Sequence, residues 1–137
     1  MQIIKPVTVT NTILTSSNVL ENDFAEWVTG TTYTTGTKVI VIGTTHKVYE
    51  SLVGGNQGNN PVTDDGTNWL TLGATNRWKA FDQKIGDPVT NTTTITYTLT
   101  DAASNITSVA LFGLAGLTAN VTVTDAVDGI VYNNTIS

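Results

Sequence analysis

The chain contains no cysteine, which excludes a disulfide framework, a thiolate metal site and a cysteine nucleophile together. Charge is nearly as scarce: Asp, Glu, Lys and Arg form 12% of the 137 residues, against roughly 25% in ordinary globular domains. Only six of these are Lys or Arg and the net charge is −5. Phosphate backbones are gripped by clustered cations, and only Lys47, Arg77, Lys79 and Lys84 come near to clustering, so a nucleic-acid partner is not expected. A single histidine, His46, cannot build a zinc cluster, and no motif supplies the serine and carboxylate of a triad. A structural or solvated role is expected for it.

Long apolar runs are missing too. The most apolar stretch, "VALFGLAGL" from Val109 to Leu117, is too short for a bilayer and is interrupted by Gly113 and Gly116, so no membrane partner is expected. The opening "MQIIKPVTVTNTILTSSN" lacks the continuous apolar core of a signal peptide, and no export address is read there.

What is abundant is threonine, about a fifth of the chain, interleaved with Val and Ile. These side chains are stiff at their first torsion and suit a pleated backbone. The expectation is an all-β protein with very little helix. Period-two alternation predicts strands in "KPVTVTNTI" (Lys5 to Ile13) and "TITYTLT" (Thr94 to Thr100), and a hairpin of "TKVIVIG" and "HKVYESL" around Gly43, Thr44 and Thr45. Beyond Asp101, "ITSVALFGL" predicts a buried strand, and "TANVTVTDA" with "IVYNNTIS" a hairpin across Asp128 and Gly129. Short helical turns are expected at Leu20 to Ala25 and at Asn76 to Phe81.

Residues 51–68, dense in Gly, Asn, Asp and Pro, predict an ordered surface loop. The chain thus divides into an N-terminal arm (1–23), an aromatic module (24–73), a connector (74–87) and an antiparallel β-sandwich unit (88–137). Four strands in the last unit would leave edges and an apolar face uncovered. Either partner subunits cover them, or the native chain extends past Ser137.

Landmarks of the second segment fall at regular intervals: Trp27, Tyr33, Gly36, Val39, Tyr49, Pro61 and Trp69. This spacing resembles the small chitin-binding modules of bacterial chitinases, which implies a miniature core built from those rings, with Gly36 supplying a positive-φ turn. The relatives carry sugar-stacking aromatics just after the second tyrosine, where this chain has Ser51, Leu52 and Val53, so the resemblance carries the fold and not the ligand. "NRWKAFDQ" followed by "ITYTLTD", "ITSVALFGLAG", "VTVTD" and "GIVYN" looks like the first part of a discoidin-like, galactose-binding jelly roll. The whole order resembles virion proteins of tailed bacteriophages, of the tail, baseplate or fibre type. That resemblance implies a structural component of the particle, made in the host bacterial cytoplasm, with other virion proteins and copies of itself as partners. The alternative it leaves open is a carbohydrate-binding module contacting host-envelope glycans.

For such contacts, of ligand or partner, the candidates are Arg77, Trp78, Tyr49 and Asn56, because indole faces stack on sugars and hold cations. The competing reading is that Trp78 and Phe81, three apart, anchor the connector. Glu26 and Glu50, or Asp64 and Asp65, are the only conceivable glycosidase pairs. Glu26 and Glu50 lie beside aromatics and Asp64-Asp65-Gly66 is turn chemistry, so no catalytic residue, cofactor or metal is expected.

Overall fold

The computed structural model describes residues 6–101, 108–116 and 118–137. Its elements are β1 (Leu14–Ser17), β2 (Thr32–Tyr33), β3 (Lys38–Val41), β4 (Lys47–Ser51), β5 (Asn56–Gln57), β6 (Trp69–Ala74), a single 3-10 turn (Lys79–Phe81), β7 (Tyr97–Leu99), β8 (Ala119–Asp125) and β9 (Gly129–Ile136). Among the described residues the strands pair antiparallel, β1 with β7, β2 with β5, β3 with β4 with β6, and β8 with β9, beside one isolated parallel bridge of Glu26 with Ile40. The expected all-β, antiparallel and nearly helix-free fold is the one present.

The three-stranded sheet carries the core. Val39 and Ile40 are both buried although they point to opposite faces of β3, the mark of a strand covered on both sides. One face holds Tyr33, Val39, Tyr49 and Trp69, with Trp27 and Val41 packed at its margin. Along the outer edge of β3 runs the stretch from Ala25 to Trp27, bonded through Ile40 N–H to Ala25 O (3.0 Å) and Trp27 N–H to Ile40 O (2.9 Å). Ring edges of Tyr33 and Trp69 meet at 5.3 Å and 68°, a geometry that adds about 0.5–1.5 kcal/mol beyond burial alone.

Two irregularities of this sheet shape the surface at its end. The turn between β3 and β4 covers Ile42 to Thr45 and ends on His46, which takes a positive φ of 51°. In β6, Leu72 is an extra residue: Val48 pairs with Gly73 while Tyr49 pairs with Thr71. Such a bulge bends its strand and re-aims the side chains beside it. Gly73, at φ 155°, carries the bend.

Several local expectations are corrected. Residues 6–10 form no strand; Ile13 and Leu14 N–H both donate to Thr10 O, so the chain turns there and pairing starts only at Leu14. Leu20 to Ala25 is not helical, because its acids reach sideways: Asp23 accepts the Asn76 N–H and Glu21 accepts the Thr75 hydroxyl. Of Thr94 to Thr100, only Tyr97 to Leu99 is strand, facing β1. Residues 108–114, with Val109, Leu111, Phe112 and Leu114 among them, lie outside any strand and are exposed; Ile106 and Thr107 of that expected buried strand, and most of the turn before it, fall outside the described residues.

Candidate functional site

The aromatic landmarks of residues 24–73 point inward. Tyr33, Val39, Tyr49 and Trp69 are all at most 7% exposed, and Pro61 is buried as well. Gly36 (φ 81°) makes the turn from β2 to β3 and donates its N–H to Ser51 O at 2.8 Å. The polar atoms of Tyr33, Tyr49 and Trp69 are occupied within the chain, whereas Trp27 Nε1 is buried without a hydrogen-bond partner. The Tyr33 hydroxyl accepts Val28 N–H (2.7 Å), the Tyr49 hydroxyl donates to Thr45 Oγ1 (3.3 Å), and Trp69 Nε1 donates to Asn59 O (3.0 Å).

Two residues expected to contact a ligand or partner are therefore placed differently. Tyr49 is 3% exposed and Asn56 1%. Asn56 donates to Ser51 Oγ and Asn68 O and accepts from Asn59 Nδ2, so it staples the loop of residues 51–68 from inside. Asp64 staples it from outside: Oδ2 accepts Gly66, Asn68 and Trp69 N–H, and Oδ1 accepts Asn68 Nδ2. Burial works to raise its pKa, but these donors outweigh it and hold the carboxyl below the usual carboxylate range. Asp65 is likewise bound to the Thr67 N–H and hydroxyl. The "DDGTN" acids thus hold a turn, and Glu50 pairs with Lys38 at 3.8 Å.

Arg77 and Trp78 belong to a second, unforeseen cluster. Glu21, only 6% exposed in its side chain, sits at its centre. Glu21 Oε1 meets His46 Nδ1 at 2.7 Å and accepts the Thr75 hydroxyl at 2.8 Å, while Oε2 lies 4.0 Å from Arg77 Nη1. His46 Nε2 meets Asn11 Oδ1 at 2.6 Å, the Asn11 amide being oriented by donation from Nδ2 to Gly43 O. Both ring nitrogens thus face oxygens inside the chain. The imidazole lies flat on Trp78, centroids 4.2 Å apart. Trp78 then meets Phe81 edge-on at 6.1 Å, and Phe81 meets Tyr97 at 5.1 Å.

This ladder of rings joins segments distant in sequence. Arg77 Nε donates to Val19 O (2.6 Å) and Tyr97 donates its hydroxyl to Arg77 O (2.9 Å). Burial pushes the Tyr97 phenol up to about 12, against the opposing pull of the Arg77 cation. One face of the Trp78 indole is covered by His46. Its Nε1 is buried without a hydrogen-bond partner, as is Asp82 Oδ2. The sequence singles out Arg77, Trp78, Phe81 and His46, but separately or for other roles; Asn11 and Glu21 carry no motif.

Beside the ladder lies a cleft of 530 Å³ between the bulged end of β6, the β3–β4 turn and the connector. A smaller one of 370 Å³ opens on Phe24, Lys79 and Asp87. Among the described residues no set of three or more His, Asp and Glu side chains converges as a metal site, and no helix is long and apolar enough to cross a membrane. No protein-family model matches the chain, and neither a curated protein nor a solved structure matches it.

Proposed function

We propose that this chain is a structural component of a tailed-bacteriophage particle that works by burying strand edges against neighbouring protein chains. The observation that carries the assembly reading is the β8–β9 hairpin. It pairs residues 119–125 with 129–136, and every position of β9 is exposed, including Ile130, Val131, Tyr132 and Ile136 at roughly half or more of their surface. Neither strand contains Lys, Arg or Pro, and the only acid, Asp125, stands at the end of β8. Exposed edges of free-standing sheets are ordinarily blunted by such residues; where they are absent, pairing with another chain is favoured. The exposed apolar stretch containing Phe112 and Leu114 adds to the surface that seeks cover.

Placement in a virion rests on the resemblance of the arm, "TSSNVLENDFAEW" and "LGATNRWKAFDQ" to phage structural proteins. The burial of the module aromatics fits a spacer or scaffold better than an open sugar platform. Mass spectrometry of purified particles, with image reconstruction, tests membership directly. Ile130→Lys and Tyr132→Lys variants are expected to drop out of particles while the aromatic module melts unchanged. Undiminished incorporation of both variants would refute the edge-pairing mechanism.

A further inference from the structure

His46 is the sole histidine of the chain, and histidine is the one side chain whose ordinary charge change falls between about pH 5 and 8. Its ring is held on three sides. Glu21 Oε1 stands 2.7 Å from Nδ1, Asn11 Oδ1 stands 2.6 Å from Nε2, and Trp78 covers one face with centroids 4.2 Å apart. The backbone of His46 is fixed as well, because its carbonyl accepts the Thr75 N–H at 2.9 Å.

Both facing oxygens are acceptors, and neither becomes a donor without loss. Glu21 Oε1 already accepts the Thr75 hydroxyl at 2.8 Å and Oε2 lies 4.0 Å from Arg77 Nη1, a setting that suits the carboxylate. The Asn11 amide is oriented from its other end, where Nδ2 donates to Gly43 O at 2.6 Å. Flipping that amide would offer an N–H to the ring but would press Oδ1 against the Gly43 carbonyl, acceptor on acceptor. A neutral imidazole has one N–H and one lone pair, so it can serve only one of its two neighbours. The arrangement is complete only with a proton on each ring nitrogen.

When one of those protons leaves, the arm is the part free to yield. Glu21 is 6% exposed in its side chain and Thr75 is fully buried, whereas Asn11 is exposed. Among the described residues, the two bonds of Asn11 are the only hydrogen bonds by which residues 6–12 reach beyond Leu14. The other charged side chains around the ring do not substitute for them. Residues 6–13 carry no charge; Lys47, Asp82 and Lys84 line the same 530 Å³ cleft as His46, with Asp82 Oδ1 taken by the Lys84 N–H; Asp23 is turned to the Asn76 N–H.

We infer that Asn11, His46 and Glu21 form a pH-operated clasp, which holds the N-terminal arm against the β3–β4 turn while the imidazole carries both protons and releases it when one is lost. The closed form binds the additional proton, so it is favoured on the acid side of the ring's titration and lost on the alkaline side. Thr8 and Val9 line the 530 Å³ cleft, so release removes one wall of it and leaves the aromatic core in place. The clasp lies within residues 8–78 and is independent of the assembly reading, which concerns the β8–β9 hairpin.

The test is an NMR titration of the intact chain from about pH 5 upward until the ring ¹⁵N shifts report loss of a proton. On the acid side, two protonated ring nitrogens, a nuclear Overhauser contact between the Asn11 amide and the ring, and an ordered backbone at residues 8–11 are expected. On the alkaline side that contact is expected to vanish and the population with a free arm to rise roughly tenfold, as one or two hydrogen bonds are given up. Asn11→Ala, at an exposed position, is expected to free the arm at every pH while the ring still titrates. His46→Asn keeps a residue type that tolerates the φ of 51°; its arm is expected to be equally ordered at all pH values, with Trp69 fluorescence still reporting a folded module. An arm that is equally ordered on both sides of the ring's titration, a neutral ring still in contact with Asn11, or pH-dependent arm order in His46→Asn would each overturn the inference. Particle incorporation of the hairpin variants bears only on assembly, so the two readings fail separately.

Discussion

Replacing Asp64 by Asn isolates the value of one negative charge in the loop that closes the aromatic module. The substitution keeps the shape of the side chain. It changes three backbone N–H bonds to Oδ2, at 2.9, 3.1 and 3.0 Å, from charge-assisted to neutral, and it turns a donor toward Asn68 Nδ2, now 2.8 Å from Oδ1. Hydrogen bonds to a charged group contribute about 1.5–3 kcal/mol and neutral ones about 0.5–1.5. The loop is partly open to water, and Asn68 can reorient its amide, so most of the nominal difference is screened; the expected loss is about 1–2 kcal/mol. For a chain of this size that is a fall of roughly 3–8 °C in Tm, followed by the fluorescence of Trp69, whose own N–H is one of the three donors. The pH dependence supplies the internal control. Because the folded carboxyl titrates below its unfolded value, its contribution is complete above about pH 4 and disappears as pH falls through the folded pKa. Parent and Asp64→Asn should therefore converge in strongly acidic solution, where the parent residue is itself neutral. Equal melting temperatures at pH 7, or a gap that persists unchanged at pH 2, would refute the assignment of the loop's stability to this charge.

Tyr97 works in the opposite sense. Its folded pKa of about 12 exceeds the unfolded value of about 10, so its contribution is whole below pH 10 and is lost as pH rises toward 12. Absorbance titration near 295 nm should show a late-ionising phenol component, and Tyr97→Phe should remove it. Gly36→Ala meets no atom within 4 Å but places a side chain at φ 81°, so a loss of about 1 kcal/mol is expected from backbone strain alone. Gly30→Ala, at a glycine without positive φ and with equally open space, should leave the melting temperature unchanged or slightly raised; similar losses at both positions would remove the conformational explanation.

The sequence announced the module because its signals are local. The Gly36 turn and the β3–β4 hairpin each depend on residues within a few positions of one another; Tyr33, Val39, Tyr49 and Trp69, spread over a longer stretch, pack together in the core. The alternating Thr and Val of the arm misled for a physical reason. Period two reports compatibility with a strand, not the presence of a pairing partner, and residues 6–10 have none among the described residues, whereas the less regular Leu14–Ser17 faces β7. The cluster around Glu21 was hidden because it is assembled from single polar residues at positions 11, 21, 46, 75 and 77, each unremarkable in its own neighbourhood. Its legible traces were the lone histidine and the Arg77–Trp78 pair, with nothing local to say that they meet.

The ladder between β1 and β7 also sets an order of events. Thr15 and Thr98 are 83 residues apart, whereas the β3–β4 hairpin closes over a short turn. Hairpins form in about 1–10 μs, and a ribosome adds about 5–20 residues per second. Between the emergence of Ala74 and that of Leu99 there is thus an interval of roughly 1–5 s in which the sheet of the module can close while Leu14 to Ser17 still wait for their mate. During synthesis the protein passes through a stage with a finished head and an unclaimed leading strand, and it is at that stage that exchange of this strand between nascent copies is easiest.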